Sequence, residues 1–411
     1  MDDTGQRVIA AGDRAVTQPA DRVLEDRFTS LDRFEGVDEL QYTDDGGGGG
    51  GGGSAPSVSL PPPWGKPLDA RLEKVDARHP LQAAVDVVAG SKANKGMSFA
   101  LVDLTTPGKR LYASLRDSDQ RYIASMGKLC ILFAAFQLRA AARAAAALVD
   151  VKTAKTPDKL FATLTRAWQK PIGRYFRAGK GADNSLPALA RIFTATPSAN
   201  GAWDVAFATT SGVGASTAAA FFSRLLGSVL GGENPSSASC IRDIGFPYIN
   251  GALAEAGLWR RGKGMWISLD FAGHHWDPEA VKQVSPHAST ARALAEFLTL
   301  LAFDELVPGS GAEMKDAMAG EDGTHQRGHG TFLAGGAFQH LTDAQKNSLV
   351  ARGKVGYLDA GPYNDCALIE HDSAIGRLRY VGVMLGGTEI DHMIKTGRAL
   401  DVALEASRTP P

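Results

Sequence analysis

The sequence predicts an α+β fold, with its strands gathered in two runs and its helices between and after them. Three observations carry this. Two short apolar runs with a turn between them stand early in the chain. Three more stand near its end, before a closing amphipathic segment. The stretch between is Ala- and Leu-rich or broken by Gly, Pro and Ser. Strands segregated from helices argue against repeated βαβ units.

Residues 1–65 are read as a disordered leader and linker. The first 45 are polar and rich in Asp and Arg, eight glycines run from Gly46 to Gly53, and Pro61-Pro62-Pro63 follows. Such a segment loses much backbone entropy on ordering and has little apolar surface to bury. The folded domain is then 66–406. Asp69 to Ala89, with apolar positions at Leu72, Val75, Leu81, Ala84, Val85 and Val88, predicts a helix interrupted at Pro80. Met97–Leu104 and Lys109–Leu115, joined by Thr105-Thr106-Pro107-Gly108, predict a hairpin. Ser125–Leu148 predicts a strong helix. Residues 150–240 are expected to be a helical insertion, with patches at Lys159–Trp168 and Ala215–Val229. Gly251–Gly257 and Ala288–Phe303 predict helices, and Gly353–Tyr357, Cys366–His371 and Arg379–Leu385 predict strands. Glu389–Ala406 predicts the closing helix.

Lys plus Arg number 44 and Asp plus Glu 45, for a net charge of −1. No electrostatic case exists for a nucleic acid or an anionic membrane as partner. Cys130, Cys240 and Cys366 are too few and too scattered for a disulfide framework or a metal site. The acidic start carries no signal-peptide pattern, and the most apolar stretch, Leu129–Val149, is broken by Gln137, Arg139 and Arg143. A cytoplasmic location is the expectation. His274-His275 and His325-Gln326-Arg327-Gly328-His329 lack a confirming Cys or Asp/Glu framework, so they read as surface-loop histidines rather than metal ligands. No metal and no cofactor is expected. Trp168, Trp203, Trp259 and Trp266 read as packing residues.

Chemistry concentrates in Ser125-Met126-Gly127-Lys128, an S-x-x-K opening a helix. Three residues apart, both side chains share one helix face. The positive end of the helix favours an alkoxide or oxyanion there. A Lys held neutral by burial or by another cation can take the hydroxyl proton. The same residues also suit a capping Ser followed by a solvated Lys.

Two further elements follow in order: Tyr248-Ile249-Asn250, ahead of Gly251 to Leu258, and Lys354-Val355-Gly356-Tyr357, ahead of Asn364-Asp365. With the S-x-x-K, they make the chain resemble the serine β-lactamase and penicillin-binding superfamily, closest to class A β-lactamases. The resemblance covers roughly 66–150 and 240–406. It implies a β-lactamase/transpeptidase-like fold: a five-stranded antiparallel sheet flanked by N- and C-terminal helices, plus an all-helical subdomain. It also implies roles. Ser125 would be the nucleophile and Lys128 its base. Tyr248 would pass a proton to the leaving group, and Asn250 would bind substrate and help hold Lys128. Lys354 would supply positive charge. The backbone N–H groups of Ser125 and Tyr357 would form an oxyanion hole, with Gly356 letting substrate lie against the strand. Tyr248 and Asn250 also suit a buried Tyr and a turn Asn after Pro247.

Val355 stands where the family carries a hydroxyl. A buried carboxylate without that donor costs about 1–3 kcal/mol, which favours neutral amides or esters as substrates. In Trp276-Asp277-Pro278-Glu279, Asp277 is the candidate base for deacylation, one methylene shorter than the family's Glu. The implied function is a serine hydrolase acting on an amide, β-lactam or ester carbonyl of a small molecule. A penicillin-binding protein that is acylated without turning over, a non-catalytic protein and an esterase are the alternatives.

Overall fold

A computed structural model of the chain describes residues 60–175, 185–209, 220–260, 263–268, 271, 287–318, 331–358 and 361–408. The main sheet comprises β1 (Glu73–Lys74), β2 (Ser98–Asp103), β3 (Leu111–Leu115), β6 (Val350–Gly356), β7 (Tyr363–Ser373) and β8 (Gly376–Gly387). The intervening β4 (Phe193–Pro197) and β5 (Trp203–Phe207) form a separate hairpin. The helices that matter below are α1 (Pro80–Ala89), α2 (Lys128–Ala146), α3 (Pro157–Gly173), α4 (Phe221–Val229), α5 (Asn234–Ile244), α6 (Phe246–Glu255), α7 (Ala291–Ala302), α8 (Phe332–His340) and α9 (Ile390–Arg408).

The sheet order is β1-β3-β2-β8-β7-β6. Five strands pair antiparallel, and the two-residue β1 pairs parallel to β3, so the sheet has six strands where five were expected. Alternation along the strands divides the interior into two cores. Ala100, Val102, Cys366, Leu368, Val381 and Val383 face α2 and α7. Phe99, Leu101, Ala367, Ile369 and Met384 face α1, α8 and α9. The result is an α+β domain of helices on both faces of a mostly antiparallel sheet.

Helix α2 runs through the larger core. Residues Leu129 to Phe136 are all fully buried, so the helix is apolar all round. Of its two deeply buried basic residues, Lys128 and Arg139, the latter is held by Glu313 at 2.9 and 2.6 Å. The apolar stretch from Ala124 to Ala146 has the length and composition of a membrane span but is mostly enclosed by protein.

Several expectations need correction. Residues 69–79 are not helical. Pro80 begins α1 instead of interrupting it, and His79 caps that helix through Nδ1, 3.1 Å from the N–H of Leu81. A residue before proline is pushed out of the α region, and His79 accordingly has ψ 136°. The linker assigned to 1–65 ends too late. Trp64 is buried against Tyr248, and the Pro61 carbonyl accepts from Trp168 Nε1 at 3.0 Å. The 150–240 region is not all helical, because the β4–β5 hairpin packs Trp203, Val205 and Phe207 into the core beside α2. Finally, α6 starts at Phe246 with Pro247 in its first turn, so Tyr248 and Asn250 lie inside a helix rather than on a loop.

Candidate active site

Ser125 lies in a tight 3-10 turn, Ala124–Gly127, that leads directly into α2. The Lys128 N–H closes that turn onto the Ser125 carbonyl. Ala124 sits in the left-handed region at φ 46°. For a residue with a Cβ, this costs on the order of 1–3 kcal/mol and persists only where surrounding structure enforces it. The strain therefore falls on the residue immediately before Ser125, which remains partly exposed.

Three pieces enforce the turn. The Ile123 N–H bonds the His287 carbonyl at 3.2 Å. A Cβ on Gly127 would come within 3.2 Å of the His287 Cβ. A Cβ on Gly356 would stand 2.1 Å from the Ile123 carbonyl oxygen and 3.0 Å from the Ser125 nitrogen. Only glycine lets β6 lie directly on the backbone that carries Ser125. Asn364 ties the strand end down, donating to the Gly356 carbonyl at 3.1 Å and accepting from the Gly386 N–H at 2.9 Å.

Lys128 is completely buried. Its ammonium donates to the Gly232 carbonyl and to Asn234 Oδ1, the latter at 3.0 Å, and sits 4.8 Å above the Phe271 ring. Burial pushes its pKa down to about 7; the charge of Lys354 adds to the drop, and Glu233 opposes it. An amine at about 7 is substantially free base in neutral solution, as a proton acceptor must be. Lys354, nearly buried on the face of β6 that meets the turn, is also lowered by desolvation, with Cys366 opposing.

The structure does not bring Tyr248 and Asn250 to this place. The Tyr248 side chain is fully buried, with its hydroxyl donating to the Pro63 carbonyl at 2.8 Å and its ring stacked on Trp64. Asn250 clasps the backbone of Ile267, donating to its carbonyl at 3.0 Å and accepting from its N–H at 3.3 Å. The partner of Lys128 is Asn234 instead, at the start of α5. Sequence reading missed Gly232 and Asn234. Their only trace was Gly231-Gly232-Glu233-Asn234-Pro235, a glycine turn running into a Pro-led helix. Asp277, His274, His275, His325 and His329 lie outside the described residues. Among the described residues, no group of three or more His, Cys, Asp or Glu could hold a metal ion. Trp168, Trp203, Trp259 and Trp266 are buried packing residues, the last two 4.9 Å apart.

No protein-family model and no curated protein matches the chain. Among solved structures, a β-lactamase from Sphaerobacter thermophilus is 16% identical with a TM-score of 0.46, covering 82% of this chain and 100% of its own. A class A β-lactamase representative from Bacteroides cellulosilyticus is 10% identical with a TM-score of 0.45, covering 80% and 99%. The TLA-3 extended-spectrum β-lactamase is 11% identical with a TM-score of 0.46, covering 79% and 96%.

Proposed function

We propose that the chain is a serine hydrolase of the β-lactamase-like kind, working through an acyl-serine intermediate on an amide, lactam or ester carbonyl. The observation that carries this is Lys128: a buried amine with its pKa lowered to about 7, three residues after a partly exposed serine that directly follows the strained Ala124.

In this reading, free-base Lys128 takes the proton from Ser125 Oγ as that oxygen bonds the carbonyl carbon. The N–H groups of Ser125 and Tyr357 receive the oxyanion, a contribution of about 3–4 kcal/mol per donor in related chemistry. Collapse breaks the bond to the leaving nitrogen or oxygen, which takes a proton. With Tyr248 bonded to Pro63, that proton comes from Lys128 or Lys354. Water then releases the acid and restores the serine, with Asp277 as the proposed base. Asn234 takes the role of holding Lys128 that Asn250 was expected to fill.

Intact mass after incubation with nitrocefin, and separately with a p-nitrophenyl ester, tests the reading on the wild type and on Ser125→Ala. A mass adduct or turnover confined to the wild type is expected. Equal turnover by Ser125→Ala would refute it. Turnover of nitrocefin identifies a β-lactamase, a stable adduct a penicillin-binding acceptor, and ester-only turnover an esterase.

A further inference from the structure

His287 opens a short strand, His287–Ser289, that pairs antiparallel with Arg121–Tyr122 and with Trp266–Ile267. It is 2% exposed. Its carbonyl and Cβ already meet the Ser125 turn, at the Ile123 N–H and at Gly127. Its ring makes a second set of contacts. Nε2 lies 2.7 Å from the Phe271 carbonyl oxygen, which only accepts, so Nε2 carries the hydrogen of that bond. The imidazole also stacks on the Phe271 ring, 4.4 Å between centroids with planes 14° apart. Tyr122 lies 6.4 Å from the imidazole, with planes 23° apart. Phe271 is itself buried, and its ring lies 4.8 Å from the Lys128 ammonium. One residue thus touches both the turn that carries the serine and the ring on which the lysine rests.

We propose that His287 is a positioning residue for Lys128, acting through the aromatic face of Phe271. The proposal deepens the serine hydrolase reading and rests on it for the use made of the lysine. The contacts stand without it. A ring face attracts an ammonium rather than a neutral amine, and more strongly where water is excluded. The Phe271 face therefore favours the charged form of Lys128 and fixes where its nitrogen sits. It works against burial and against Lys354 on β6, which favour the free base, and alongside Glu233, just ahead of α5. The other partners of the ammonium, the Gly232 carbonyl and Asn234 Oδ1, are neutral. The ring acts only if it is held. Stacking on His287 fixes its plane, and the Nε2 bond fixes the backbone that bears it. The outcome is an amine that gives up its proton near neutrality yet is basic enough to take one from a hydroxyl.

Heteronuclear NMR of the lysine Cε across pH tests this on the full chain, on Phe271→Leu, on His287→Leu and on His287→Phe. The Lys128 signal is identified by its loss in Lys128→Met. Every His287 variant keeps the carbonyl and Cβ that meet the Ser125 turn. Phe271→Leu should lower the Lys128 midpoint by about one pH unit. His287→Leu, which removes stack and hydrogen bond together, should lower it in the same direction, and His287→Phe, which restores the stack, should bring it back toward the wild type. The pH midpoint of Ser125 acylation, read with whichever of nitrocefin or the p-nitrophenyl ester labels the wild type, should move in step. An unchanged midpoint in His287→Leu would overturn the proposal. So would a rise, since His287 would then act by its own charge, and so would equal midpoints in His287→Leu and His287→Phe. If His287→Leu does not fold, a Phe271→Leu midpoint equal to the wild type overturns it instead. The NMR titration needs no turnover, so a wild type that is never acylated removes the serine reading alone. Unmoved midpoints with acylation intact remove the role of His287 alone.

Discussion

Two buried ionisable groups sit on opposite faces of the same sheet and are treated in opposite ways. Lys128, facing the α2 core, meets two neutral oxygens and an aromatic ring, with a second cation, Lys354, close enough to lower its pKa. No carboxylate among the described residues lies within ion-pair distance of it. Asp401, on α9 and equally buried, is 3.0 Å from His371 Nε2 and 3.1 Å from His340 Nε2. Burial alone would raise its pKa, but the two imidazoles outweigh that and hold it below the usual carboxylate range. Burial likewise opposes the His371 proton, and Asp401 more than restores it. The undercompensated group is left close to neutral, ready to accept a proton. The compensated one pins the C-terminal helix to β7.

The sharpest way to break this comparison is to substitute both groups and read activity and stability together. Lys128→Met should cut Ser125 acylation by about 10²–10⁴-fold. It should leave unfolding free energy unchanged or higher, since a poorly paired buried charge stabilises little. In the wild type the acylation rate should climb with pH through about 7 and then level off, because only the free base accepts the serine proton. A rate that falls across that range would contradict the assigned role.

Asp401→Asn should do the reverse. It leaves His371 facing an amide and should cost about 3–5 kcal/mol in denaturant unfolding, with Ser125 labelling retained in the folded fraction. The wild-type contribution has two limits. A lowered Asp401 contributes above its unfolded value and loses that as pH falls through its folded pKa. A raised His371 contributes fully below its unfolded value and loses that as pH rises through its folded pKa. The advantage of wild type over Asp401→Asn should therefore be greatest between about pH 4 and 6.5.

The smallest expected effect concerns geometry alone. Gly356→Ala forces a Cβ against the Ile123 carbonyl and the Ser125 nitrogen. A displacement of about 1 Å should slow acylation by roughly 10²-fold while the far core, with Asp401 and His371, keeps its stability. Labelling at the wild-type rate would mean that β6 does not set the position of Ser125.

Much of the fold was legible because local pattern and tertiary outcome agree. The alternation in Met97–Leu104 and Arg379–Leu385 places successive residues in two cores, and the strands formed within a few residues of expectation. The S-x-x-K was legible as a helix opening for the same reason. Errors arose where one residue type permits two local structures. Pro80 and Pro247 start helices, although each was read as a break or a turn. Tyr248 was placed at the site by the resemblance of Tyr248-Ile249-Asn250 to a family motif, yet Trp64 and the Pro63 carbonyl take up its ring and hydroxyl.

By itself the sequence determined the alternation of strands, the apolar length of α2, and the spacing of Ser125 and Lys128. These are set by neighbours in the chain, and neighbours can be read. Only the tertiary structure decided that Lys128 loses its water, that Asn234 and not Asn250 meets it, and that the rings of Phe332, Tyr357 and Tyr363 meet. Each of these depends on residues brought together from distant positions. Desolvation and ring contacts act through space, so the order of residues along the chain does not reveal them.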